Sequence, residues 1–73
     1  MSTFKAILMR HGLTPTAVIS AGFPKGTIWK YVYGYRWPKF KRILEFEKRL
    51  GIPREEFFEA QLSFEESRTV TNG

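Results

Sequence analysis

Cysteine is absent, so neither a disulfide nor a thiolate metal site can brace this chain. The single histidine, His11, excludes a multi-histidine metal centre and is expected instead to help finish the first helix. No apolar run approaches the length of a membrane span, and the N-terminus lacks the pattern of a secretory signal. The chain is therefore expected to be soluble and cytoplasmic. Glu55, Glu56 and Glu59 are the nearest approach to paired carboxylates, yet no nucleophile or second polar group accompanies them. Helix-dipole and solubility roles suffice for them. Nothing in the chain suggests an enzyme, a cofactor or a small-molecule ligand.

What remains is a 73-residue chain, enough for one small domain whose modest core needs efficient packing. Seven Phe, three Tyr and two Trp must supply much of its buried area. The net charge is +5, and it is unevenly spread. Through Arg54 there are eleven Lys and Arg against two Glu; from Glu55 onward there are five Glu against one Arg. A basic body of this kind suits a polyanionic partner, of which nucleic acid is the commonest.

Apolar spacing predicts five helices near residues 3–11, 15–21, 25–33, 39–50 and 54–60, an all-α fold. Phe4, Ile7 and Leu8 mark the first, capped by Ser2 or Thr3 and ended by Gly12. Thr14 is placed to cap the second, with Pro15 at its first position, Gly22 as terminator, and Ala17, Val18 and Ala21 inward. The fourth carries Phe40, Ile43, Leu44, Phe46 and Leu50 on one face. Lys39, Lys41, Arg42, Glu45, Lys48 and Arg49 form its solvated face, with Glu45 and Arg49 as an i, i+4 pair. Residues 1–61 then form the domain. Residues 62–73 form a mostly polar tail, mobile or engaged in a dimer contact, with Phe64 and Val70 as its possible anchors.

The stretch TIWKYVYGYRWPKF, residues 27–40, admits two readings. Trp29, Tyr31, Tyr33, Tyr35 and Trp37 alternate like one face of a β-strand. At helical spacing the same segment buries Ile28, Tyr31 and Val32 and turns Trp29, Lys30 and Tyr33 outward. A lone strand cannot satisfy its own backbone. RTVT, near the end, is the only other weak strand candidate. Gly34 also stands where a helix ending at Tyr33 wants its left-handed residue, so the helix is the expected form.

The middle of the chain resembles the helix-turn-helix of the Cro/cI-type, or XRE-like, repressor family. The resemblance rests on Ala17, Val18, Ala21, Gly22 at the turn, Phe23 after it, Ile28 and Tyr31 in the third helix, and Gly34. Pro38, Phe40, Ile43, Leu44, Phe46, Leu50, Gly51 and Ile52 follow the family's fourth-helix spacing without a gap. Arg54 to Phe58 looks like its fifth helix. The departures are a shortened approach to the second helix, Pro15 where Gln is frequent, and Trp29 on a reading face usually small and polar. Pro24 also stands at the capping position of the third helix, where it has no acceptor to offer, leaving Thr27 as a later cap.

The resemblance implies a five-helix, lambda-repressor-like domain that binds double-stranded DNA at a palindromic operator. It would act as a phage- or prophage-type transcriptional repressor and as a homodimer. It places Lys25, Gly26, Thr27, Trp29 and Lys30 toward the major groove, with Tyr33, Tyr35, Arg36 and Lys39 on the backbone and Thr14 and Thr16 at the phosphate-facing end of the second helix. Phe57, Phe58, Leu62 and Phe64 are the expected dimer surface. Two alternatives stand beside it. One is a protein-interaction module of antitoxin type, anchored by Trp29, Tyr33, Tyr35 and Trp37. The other binds single-stranded nucleic acid by stacking bases on those rings.

Overall fold

Five α-helices follow one another in the computed structural model, which describes residues 3–70 and, for residues 63, 64 and 66–70, the helical backbone alone. They are α1 (Thr3–Arg10), α2 (Pro15–Ser20), α3 (Lys25–Val32), α4 (Phe40–Leu50) and α5 (Arg54–Val70). There is no strand among the described residues. The alternating aromatics of residues 27–40 therefore lie on α3 and on the loop that follows it. The first four helices match the expected spans to within a residue at either end.

Local chemistry explains the starts and stops. Thr14 caps α2, its Oγ1 accepting the Ala17 amide at 3.1 Å, and Pro15 opens the helix where a missing N–H costs nothing. Gly34 ends α3 at φ +82°, a left-handed conformation that side chains with a Cβ rarely adopt. Around it Gly34 N donates to the Tyr31 carbonyl at 3.2 Å and Tyr35 N to the Lys30 carbonyl at 2.9 Å, a Schellman closure. At the next corner a side chain from one helix caps another. Glu47 of α4 accepts the backbone N–H of Arg54, at the start of α5, at 3.0 Å, and its other oxygen accepts Arg54 Nε at 2.9 Å. The Arg54 hydrogen bonds hold the Glu47 carboxyl below the usual carboxylate range, and Glu47 in turn raises the Arg54 guanidinium.

An aromatic cluster takes the place that covalent staples would occupy in other small domains. Phe4 lies 5.3 Å from Tyr31, 5.7 Å from Phe46 and 6.3 Å from Phe57, ring centre to ring centre. Phe46 and Phe57 stack at 5.4 Å. Ile7, Leu8, Val18, Phe23, Ile28, Val32, Ile43, Ile52 and Ala60 complete the enclosed core, and no polar side chain is buried with them among the described residues. These rings bring α1, α3, α4 and α5 onto one centre.

Several expectations need correction. Phe40 is not core: it is 56% exposed and stacks on Phe58, while Leu44 is only half-buried. Ala17 and Ala21 face solvent, and within α2 Val18 is the enclosed residue. Phe57 is fully enclosed in the core, so it offers no dimer surface. α3 begins at Lys25 with Pro24 as an N-cap lacking a side-chain bond, so Thr27 sits inside the helix rather than capping it. α5 runs to Val70 instead of stopping near residue 60, taking in the start of the RTVT stretch. Ser2 and the side chains of Phe64 and Val70 lie outside the described residues.

Candidate functional site

α3 buries Ile28, Tyr31 and Val32, which fixes the direction of everything else on it. Lys25, Gly26, Lys30 and Tyr33 face solvent, and Thr27 and Trp29 are half-buried along the edges of that outward surface. Trp29 packs one side against the core and stacks on Tyr33, with ring centres 5.6 Å apart and planes 24° apart. Tyr33 continues to Tyr35 at 6.3 Å. An indole anchored in the core thus begins a ladder of three rings that runs off the end of α3. Trp37, by contrast, is half-buried against the core beside Phe4 and Phe57, so it is not an outward anchor.

The Lys30 carbonyl accepts the amides of both Tyr35, at 2.9 Å, and Arg36, at 3.3 Å. This fixes the loop's exposed Tyr35 and Arg36 relative to the outer surface of α3. The loop and the start of α4 then border a groove of about 890 Å³. Thr27, Tyr31, Tyr35, Arg36, Trp37, Lys39, Lys41 and Arg42 line it, and Glu45 and Glu65 contribute carboxylates. Four cations against two acids leave it positive. Lys41 and Arg42, read from sequence as a plain solvated helix face, belong to this wall with Lys39. The signal was there in the closely spaced cations Arg36, Lys39, Lys41 and Arg42, but only the turn after Gly34 brings them beside Thr27.

α2 presents Thr14 and Thr16 to solvent at its N-terminal end. Its four-residue connection to α3 is held down by α4. The Arg49 guanidinium lies 4.5 Å from the centre of the Phe23 ring and donates to the Ala21 carbonyl, while Arg42 lies 5.7 Å from the same ring. Phe23 itself meets Phe46 at 4.9 Å. Gly22 has φ +110°, and a Cβ there would collide with the Arg49 guanidinium. Arg49 is therefore a clamp and not the expected partner of Glu45, which pairs with Arg42 at 3.5 Å. Cation–π contacts of this kind escape sequence inspection because they depend on a tertiary approach.

Charge sharpens the picture. No acidic residue occurs before Glu45, so α1 and α3 carry cations alone and α2 carries no charged side chain. All eleven residues expected to meet DNA are at least partly open to solvent: Thr14, Thr16, Lys25, Gly26, Thr27, Trp29, Lys30, Tyr33, Tyr35, Arg36 and Lys39. Those from Lys25 onward occupy α3 and the loop that its last carbonyls hold; Thr14 and Thr16 lie on the neighbouring helix. His11 stands elsewhere, Nε2 at 2.7 Å from Glu56, joining the end of α1 to α5 with Arg10 at 3.8 Å from the same carboxylate. No helix among the described residues is long and apolar enough to cross a membrane. Comparison with protein-family models, with curated proteins and with solved structures finds no match for this chain.

Proposed function

We propose that this protein is a sequence-specific double-stranded DNA-binding regulator, lambda-repressor-like in arrangement, that acts in the cytoplasm as a homodimeric repressor by binding rather than catalysis. The observation that carries the reading is the outer surface of α3. It is exposed, cationic and free of carboxylates, and it follows a short helix across a tightly held four-residue turn. In this reading α3 enters the major groove, where Lys25 and Lys30 donate to guanine acceptors and Thr27 and Trp29 meet thymine methyls. Tyr33, Tyr35, Arg36 and Lys39 then grip the phosphates beside it, as do Thr14 and Thr16 on α2. Arg42 extends that grip along the groove wall.

Selection of bound duplexes from a random pool tests the reading directly. A palindromic consensus is expected, with an association constant that falls steeply as salt rises because phosphate contacts release counterions. Affinity indifferent to salt, or the absence of any enriched sequence, rules it out. The ring ladder Trp29–Tyr33–Tyr35 favours a second reading, in which the same surface anchors a protein partner. That reading expects tight protein binding and negligible affinity for any duplex in the same assay.

A further inference from the structure

The outer surface of the α4–α5 hairpin is apolar along its middle and oppositely charged along its two sides. Phe40 of α4 stacks on Phe58 of α5 at 5.9 Å with planes 15° apart, both rings open to water. Leu62, 65% exposed, and half-buried Leu44 extend the strip. Lys41 and Lys48 project on the α4 side, and Glu55 and Glu59 on the α5 side. None of these four forms an ion pair within the chain among the described residues, whereas their neighbours do. Arg42 pairs with Glu45, Glu47 with Arg54, and Glu56 with Arg10 and His11.

The two helices run in opposite directions, since Phe40 meets Phe58 while Glu47 meets Arg54. Lys41 is therefore level with the turn that holds Glu59, and Lys48 with the turn that holds Glu55. We infer that this surface docks a second copy of the chain about a two-fold axis running between α4 and α5. α4 of each copy then lies over α5 of the other. The operation superimposes the apolar strips and sets each lysine opposite the glutamate at its own level, so each contact occurs twice. A partner of single charge sign would be repelled by one side of the strip. A copy of the same chain is not. This specifies the homodimer of the proposed function, and it stands or falls without nucleic acid.

The test is the solution mass of the full chain, with no DNA present, at tens of micromolar. Wild type, K41E/K48E, E55K/E59K and an equimolar mixture of the two variants are compared, with helical circular dichroism confirming that all are folded. Wild type is expected at the dimer mass, each variant alone to associate at least about tenfold more weakly, and the mixture to recover a dimer. L62E, which puts a charge into the strip, is expected to weaken association to a similar degree. Wild type at monomer mass overturns the inference, as do variants that associate like wild type or a mixture no tighter than its components. Duplex binding by a monomeric wild type would leave the DNA reading standing while removing this one.

Discussion

Phe46 and Tyr35 belong to the same residue class and serve opposite ends. Phe46 is fully enclosed, in contact with four other rings, whereas Tyr35 is 76% exposed at the end of a ladder that leaves the core at Trp29. The enclosed rings knit four helices together in a chain with no covalent staple. The outer rings add little to that core and lie among cations. Aromatic content alone thus says nothing about role; the direction of each helix assigns it. Trp29 belongs to both sets, with one side on the core and the other against Tyr33.

The division can be broken experimentally. Phe46→Ala empties the centre of the cluster and is expected to cost about 3–5 kcal/mol. In a domain this small that is most of the stability, so a thermal melt should show little cooperative unfolding. A melt close to wild type would mean that the enclosed rings are not what holds the helices together. K25E/K30E should act on the other side of the division. Its melt is expected within about 0.5 kcal/mol of wild type, while duplex affinity at low salt falls about a hundredfold. Equal loss of both would show that the outer surface of α3 is structural.

Trp29→Ala probes the residue shared between the two sets. A change in preferred sequence worth about 1–3 kcal/mol at the contacted step is expected, with a modest drop in melting temperature from its lost packing. Unchanged sequence preference removes the indole from the reading surface. Arg49→Ala releases Phe23 and the Ala21 carbonyl, and calorimetry should record a loss of about 1 kcal/mol. Glu47→Gln is the mildest. Hydrogen bonds from Arg54 hold the Glu47 carboxyl below its unfolded value. Its contribution is therefore present above the unfolded carboxylate range and is lost as pH falls through the folded value. The stability gap between wild type and Glu47→Gln should close on acidification; a gap that widens in acid contradicts the sign.

Most of the helical framework is legible in the sequence because its punctuation is local. Thr14-Pro15, Gly34 and Gly51 act on their own backbones, so their effects need no knowledge of the rest. α5 extends past what such local punctuation marks. Its second half is polar, with no regular apolar face to mark it as helix, yet no Gly or Pro stops a helix before Val70. Periodicity also misjudged Phe40 because α4 begins at the edge of the core, where an inward position on the helical wheel still meets solvent. The buried side of α3 is legible because it consists of three large apolar side chains, whereas Trp29, expected to face outward, rests half-buried against the core. The clamp on Phe23 is not legible, as Arg49 lies twenty-six positions later and looks like any exposed helix arginine.

The double acceptance at the Lys30 carbonyl has a consequence for recognition. Because Tyr35 and Arg36 are tied to the last turn of α3 before any partner arrives, the distance between the α3 surface and these loop groups is set during folding. The molecule carries a built-in calliper. A target whose features match that opening can be engaged without first ordering a floppy segment, so less of the attraction is spent on immobilising chain. A single residue inserted after Gly34 would delete no side chain and still spoil the gauge, because Tyr35 and Arg36 would lose their register on the Lys30 carbonyl.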